Sequence, residues 1–361
     1  MKITIKRIKI KRLTSELIMP FTISSGSHNR LENLLLEIKL SNGITGYGEA
    51  PIATHITGED IDKTELNLKK FSEKIYGMDI SNYFSIILMA QNFFEHNRAA
   101  LLSVEMALLD CVSKNMKIPL WKLFGKSVRP LSTDITVVIG SDKQAYEFTG
   151  KMRKMGFKIF KIKTGKDEDE DIKRIESVLK AAPDIDIYID GNCAYSVNSF
   201  LSFMKGLEKI SALKRLKLIE QPVKKDDFEG LKYLSEKIKI PICADESAYN
   251  IEDIYRLIRD SICPAINIKL AKLGIMRSLE IYRIARAKNI KLMIGQMVES
   301  QISTFCALSI ASAMDGFSFI DLDTPYFLKE NIIEFDKRIM SKNGIYDLSY
   351  VKLGIGAESR K

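Results

Sequence analysis

Apolar and polar residues alternate from the start of the chain. Ile3 to Ile10 has the period of two that marks a half-buried strand, and Leu34 to Leu40 reads as a second one. Asn42-Gly43 then offers a hairpin turn into Thr45-Gly46-Tyr47-Gly48-Glu49-Ala50. From about Asp62 to Lys114 the period lengthens to that of a helix, ending in the amphipathic stretch Ser103 to Asp110. This pattern predicts an α+β unit over residues 1–130.

The pattern changes near residue 132, where short β-rich runs begin to alternate with helical ones. Candidate strands end near Ile139, Lys163, Asp190, Glu220, Asp245, Lys269, Gly295 and Asp321. From Lys163 onward these ends fall 24 to 30 residues apart, close to the roughly 30 residues of a strand with its crossover helix. Eight such units predict an α/β fold, a modified (β/α)8-type (TIM-like) barrel over 131–325. Its parallel strands bring their C-terminal ends to one face, where barrel enzymes carry their chemistry. After Pro325 the chain is turn-rich, and 326–361 is expected to return and complete the first unit as a capping domain.

A chain of 361 residues accommodates a barrel of roughly 250 residues or fewer and a smaller domain. With 46% hydrophobic and 28% charged residues and no low-complexity tract, it can bury a full core. Apolar runs such as Ile86 to Ala90 and Ile262 to Ile268 fall well short of the roughly 20 residues a bilayer crossing needs. The N-terminus alternates and lacks a signal-peptide core, so a cytoplasmic location is expected. Five cysteines without a C-x-x-C pair argue for buried free thiols. The net charge of +9 comes from scattered lysines, with no basic run interleaved with aromatics, and so indicates a solvated surface and no nucleic-acid partner.

Each of several predicted strands is followed by an ionisable residue. Asp190, Glu220 and Asp245 end three successive strands and so stand side by side at the barrel rim. An all-oxygen set of this kind suits octahedral Mg²⁺, whereas zinc calls for His or Cys. None of His28, His55 and His96 falls in this segment. Lys161 and Lys163, two apart on one strand, face the same side, and Lys269 ends a strand across the barrel mouth. Burial beside a dication favours the neutral amine that a general base needs. A proton α to a carboxylate is too weakly acidic for a lysine alone, and Mg²⁺ stabilises the charge that forms when it leaves. Two bases on opposite faces permit inversion of the stereocentre.

Lys161-Ile162-Lys163, Asp190-Gly191-Asn192, Glu220-Gln221-Pro222, Ala244-Asp245-Glu246-Ser247 and Asn267-Ile268-Lys269 together resemble the enolase superfamily in its muconate-lactonizing subgroup. Gly46-x-Gly48-Glu49 and Glu105-x-Ala107-Leu108-x-Asp110 extend the resemblance over nearly the whole chain. It implies Asp190, Glu220 and Asp245 as Mg²⁺ ligands, with Asn192 supporting the metal shell. It further implies Lys163 and Lys269 as the acid/base pair and Lys161 as the group that neutralises the substrate carboxylate. The capping domain would close over the barrel mouth, with the loop from Phe21 to Arg30 contributing specificity. A homo-oligomer is compatible with this family.

Gly295-x-Met297-x-Glu299-Ser300 and Asp321-Leu322-Asp323 resemble the dipeptide epimerases within that subgroup. There the D-x-D pair binds the substrate's α-ammonium and the residue at Met297 lies beside the substrate, and two carboxylates do suit a donor with three N–H groups. The implied reaction inverts the α-carbon of the C-terminal residue of a dipeptide such as L-Ala-D/L-Glu, by two-base proton transfer through an enediolate. The arginine that often binds the glutamate side chain is replaced by Gly26, which leaves Arg30 as the nearest candidate. Near Leu123-Phe124-Gly125, Lys126 replaces a usual glycine. Cycloisomerisation, o-succinylbenzoate synthesis and N-acylamino acid racemisation are the alternatives in the subgroup. Their substrates lack a free α-ammonium and would leave Asp321 and Asp323 without a role.

Overall fold

A computed structural model of the chain describes residues 2–24 and 26–358. Three antiparallel strands, Ile5–Ile23, Gly26–Leu40 and Thr45–Ala50, form the first sheet. The first two run to 19 and 15 residues, longer than their apolar alternation. Their added length is a hairpin arm whose backbone groups pair with each other although its side chains do not alternate, Leu17 to Phe21 being an unbroken apolar run and Ser27 to Arg30 a polar one. A register shift between Glu16 and Phe21 re-aims the tip.

Helices Ile61–Ile75, Tyr83–Phe93 and Arg98–Asn115 follow. The last is buried on nearly every side, so its polar residues Ser103, Glu105 and Asp110 lie inside the protein. It packs on the third strand across two glycines. A Cβ on Gly46 would stand 2.3 Å from the Ala107 carbonyl oxygen, and one on Gly48 only 1.9 Å from that of Ser103. The Gly-x-Gly of the first-third motif is therefore a docking surface for a helix.

The second sheet has eight parallel strands in sequence order: Ile135–Val137, Ile159–Lys163, Asp186–Asp190, Leu216–Glu220, Ile242–Ala244, Ala265–Lys269, Lys291–Gly295 and Phe317–Asp321. Six end at the predicted residue. The first stops at Val137 because the Ile139 N–H leaves the ladder to donate to the Thr22 carbonyl of the hairpin arm. The fifth stops at Ala244, where Asp245 turns and its carbonyl accepts from the Ala248 N–H. Between the first and eighth strands individual bonds close the barrel. Asp134 N donates to the Ile320 carbonyl at 3.1 Å, Leu322 N to Thr133 Oγ1 at 2.9 Å, and Thr136 N to Asp323 Oδ2 at 2.7 Å.

The strand period of two then sorts the interior into layers. Tyr188, Leu218, Cys243, Ala265, Met293 and Phe319 pack together as an apolar floor. Two residues further along the same strands stand Asp190, Glu220, Asp245, Asn267, Gly295 and Asp321.

Beyond the barrel, Ile345–Tyr346 pairs with Leu131–Ser132. Leu120 N donates to the Gly354 carbonyl at 2.6 Å and Ile355 N to Asp110 Oδ1 at 2.8 Å, which joins the C-terminal segment to the buried capping helix. Among the described residues no helix is long and apolar enough to cross a membrane. All five cysteines are free and four are buried; Cys193, in the left-handed loop after the third barrel strand, is partly exposed.

Candidate active site

A pocket lies between the hairpin arm and the C-terminal ends of the barrel strands. Lys161, Lys163, Lys269, Met297, Asp321 and Asp323 reach it from the barrel. Phe21, Ile23, His28, Ile52 and Ile56 cover it from the capping side. Lys163 and Lys269 stand on the second and sixth of eight strands, hence across the mouth from each other. Cross-links hold the arm and loops in place. Ser24 Oγ donates to the Asn192 carbonyl at 3.2 Å, Asn33 Nδ2 to that of Val298 at 2.9 Å, and Tyr249 Oη to that of Thr57 at 3.3 Å.

The rim carboxylates and the lysines form two buried ion-pair clusters, one around Lys161 and one around Asp245. Lys161 Nζ lies 2.7 Å from Glu220 Oε2, 2.7 Å from Asp321 Oδ2 and 3.0 Å from Asp190 Oδ2. Lys163 Nζ is 2.7 Å from Asp190 Oδ2, and Lys269 Nζ is 2.8 Å from Asp245 Oδ2. Burial pushes the Glu220 carboxyl up to about 8, with the Asp190 and Asp245 charges adding to the effect. Burial also opposes ionisation of Asp190, but Lys163 and Lys161 outweigh it and bring that group down to about 2. Desolvation would lower Lys269, yet the carboxylates of Asp245 and Glu220 raise it. The lysine therefore stands protonated here, unlike the neutral base expected beside a dication. Three oxygen donors that repel one another within a buried site fit a hard divalent cation such as Mg²⁺.

Groups behind these carboxylates orient them. Asn267 Nδ2 donates to Glu220 Oε1 at 2.9 Å, and Asn192 N to Asp190 Oδ1 at 2.9 Å. The Asn192 side chain itself turns to Glu246, donating to Oε1 at 3.1 Å. Lys272 donates to Asp245 Oδ1 at 2.7 Å and to its carbonyl at 2.6 Å. Gln221 uses its whole carboxamide. Oε1 accepts from Asp245 N at 2.9 Å and Ser247 N at 3.0 Å, while Nε2 donates to the Val223 carbonyl at 3.0 Å and Ser247 Oγ at 2.8 Å. It does so from a left-handed backbone, φ 34°, a local cost that four satisfied hydrogen bonds offset.

Of the residues singled out from sequence, Asp190 and Glu220 lie behind the pocket wall, against Lys161 and Lys163, while Arg30 stands apart from both the pocket and its ion pairs. It lies on the outer part of the hairpin, largely exposed, with its guanidinium 2.6 Å from Glu32. Strand pairing turns it toward solvent. Ser25, in the same loop, lies outside the described residues. Sequence reasoning passed over His28, Thr136, Gln221, Lys272 and Asp134. Gln221 stood within a quoted motif, and Lys272 follows Lys269 at helical spacing. Asp134 precedes its strand and reads as a turn residue.

Two family models match the chain. The Mandelate racemase / muconate lactonizing enzyme N-terminal domain matches residues 7–125, and the Enolase C-terminal domain-like model matches 144–361. The chain belongs to the mandelate racemase/muconate lactonizing branch of the enolase superfamily. It is similar to a hydrophobic dipeptide epimerase of Citrifermentans bemidjiense, 36% identical over 96% of both chains. It also resembles an L-Ala-D/L-amino acid epimerase of Populus trichocarpa, 36% identical over 91% of this chain and 79% of that one. A dipeptide epimerase of Enterococcus faecalis, solved with Mg and L-Leu-L-Tyr, superimposes with a TM-score of 0.92 at 29% identity, covering 100% of both chains.

In this enolase-superfamily member the first-third motifs dock the cap on the barrel. Glu49 Oε2 accepts from Ser300 Oγ at 2.5 Å and from Ser303 N at 3.2 Å, at the start of helix Gln301–Ala313. A carboxylate there meets unpaired N–H groups and the positive end of the helix.

Proposed function

We propose that the protein is an Mg²⁺-dependent isomerase, a dipeptide epimerase that inverts the α-carbon of the C-terminal residue. The observation that carries this reading is one pocket holding two lysines on opposing strands together with the Asp321/Asp323 carboxylates. Asp190, Glu220 and Asp245 would hold Mg²⁺, which when bound supplies Lewis-acid stabilisation of charge on the substrate carboxylate.

The remaining work falls to the chain's own side chains. Asp321 and Asp323 accept the α-ammonium, and Lys161 counters the substrate carboxylate. Met297 lies against the peptide, its carbonyl held by Thr324 Oγ1 at 3.0 Å. One of Lys163 and Lys269 removes the α-proton while the other returns one from the opposite face. The cap, residues 1–130 with 326–361, excludes water above the barrel of 131–325. Dipeptides of the L-Ala-D/L-Glu kind fit this scheme, and the apolar wall of Phe21, Ile23, Ile52 and Ile56 favours apolar second side chains as well. The reading needs no nucleic acid and is compatible with a cytoplasmic homo-oligomer.

The test is deuterium incorporation from D₂O into a dipeptide library with Mg²⁺ present. Exchange at the C-terminal α-carbon is expected, and its absence with every dipeptide would overturn the proposal.

A further inference from the structure

Asp134 stands just before the first barrel strand and is fully buried. Among the described residues neither carboxylate oxygen has a hydrogen-bond partner. One of its carboxylate oxygens lies within 4.8 Å of one oxygen each of Asp321 and Asp323. The charged groups acting on it most strongly are Asp321, Asp323, Lys161 and Glu220, and the Tyr188 and Tyr346 phenols also stand within its influence. Only Lys161 is cationic, and an ammonium has three N–H donors. Those three are matched by contacts to Asp321, Glu220 and Asp190. Asp323 Oδ2 already accepts from Thr136 N, and Asp321 Oδ2 from Lys161. An ionised Asp134 would be an unpaired buried charge beside two like charges, which is strongly unfavourable.

We infer that Asp134 is a neutral carboxylic acid whose proton is donated to the Asp321/Asp323 pair, making it a positioning residue for the site that takes the substrate ammonium. This inference rests on the proposed role of that pair. Burial and the two neighbouring carboxylates both favour the protonated form. Asp134 is not among the residues lining the pocket, so it acts through its neighbours. The shared proton lets three carboxyl groups occupy one buried corner while the pair keeps its orientation and its charge for the ligand.

Two variants separate this role from a structural one. Asp134→Asn keeps a donor in the acid's place and is expected to retain KM for an L-Ala dipeptide within about threefold, with kcat little changed. Asp134→Ala removes the donor and is expected to raise KM by at least about tenfold, more than it lowers kcat. A second readout is independent of turnover. The infrared difference spectrum of wild type minus Asp134→Asn at neutral pH should contain the carbonyl band of a neutral carboxylic acid. Absence of that band, as for an ionised Asp134 or one holding a metal cation, would overturn the inference. So would an Asn variant as impaired as the Ala variant in an otherwise active enzyme. A wild type inactive on every dipeptide would instead overturn the epimerase reading, and the ammonium-positioning role with it.

Discussion

The Glu105 carboxylate, on the buried capping helix, accepts hydrogen bonds from the backbone N–H groups of Ile275 and Met276 at the start of barrel helix Ile275–Ala287. Gln91 Nε2 donates to its other oxygen at 3.2 Å. Together with Glu49 at helix Gln301–Ala313, it lets the cap supply acceptors to two barrel helices. Neither helix has an acidic residue in its own first turn.

Glu105 makes stability depend on pH. Burial is the largest influence and raises its carboxyl from 4.5 to about 7, against the backbone donors. The folded state therefore holds this proton more tightly than the unfolded chain. The resulting stabilisation is complete below about pH 4.5 and is lost as pH rises through about 7. A shift of this size corresponds to at most about 3 kcal/mol. Glu105→Gln keeps an acceptor for the helix and carries no charge, so its melting temperature should vary less than wild type's across this window. Thermal melts of both proteins over the pH series test this; parallel curves would remove Glu105 from the account.

Gly48→Ala tests the packing of the first sheet on the capping helix. The added methyl would lie 1.9 Å from the Ser103 carbonyl oxygen, which belongs to rigid helix backbone. Separating the two elements should cost about 1 to 3 kcal/mol, read as a lower midpoint in urea. Ala at Gly150 meets nothing within 4 Å and serves as the control, expected to leave the midpoint unchanged or raise it.

Much of this arrangement was legible in the sequence because strand period and crossover spacing are local signals. Lys161, Lys163, Asp190, Glu220 and Lys269 follow from counting along single strands. Asp134 does not, because its meaning lies in closure of the barrel against Ile320, nearly two hundred positions away. Arg30 misled for a related reason. Proximity along the chain suggested it could replace the arginine absent at Gly26, but its outward direction comes from pairing in a hairpin arm whose apolar and polar residues come in runs and do not alternate as a strand's do. The acceptor roles of Glu49 and Glu105 were likewise hidden, since each serves an element from the other half of the chain.

Gln221 should matter for metal affinity without being a ligand. Its carboxamide binds the N–H groups of Asp245 and Ser247, so it sets the loop that presents the Asp245 carboxylate. Gln221→Leu removes both acceptor and donor and should weaken divalent binding by about 10- to 100-fold. Mn²⁺ titration followed by electron paramagnetic resonance measures this directly. Unchanged affinity in a folded variant would mean that Lys269 and Lys272 suffice to hold Asp245 in place.

The two lysines should prove separable by face. Lys163→Ala and Lys269→Ala should each reduce epimerisation by at least about a hundredfold. Each variant should still exchange the α-proton of the one dipeptide epimer whose hydrogen faces the remaining lysine. Proton NMR in D₂O with each pure epimer tests this. Equal residual exchange of both epimers by either variant would contradict an opposed pair.

Specificity for the second side chain can be traced to the cap by comparing two substitutions. Arg30 pairs with Glu32 in solvent, so Arg30→Ala should leave kcat/KM for L-Ala-L-Glu within about twofold of wild type, as expected for an exposed ion pair. His28 lines the pocket, and burial lowers its pKa, which favours the uncharged ring at neutral pH. The imidazole then joins Phe21, Ile23, Ile52 and Ile56 in a wall suited to an apolar side chain. L-Ala-L-Leu should accordingly be turned over at least as efficiently as L-Ala-L-Glu. His28→Arg supplies a permanent cation at that wall and should shift the ratio toward the glutamate substrate by about tenfold, the scale of one charge-assisted hydrogen bond. An unchanged ratio would place the second side chain elsewhere in the pocket, away from the hairpin arm.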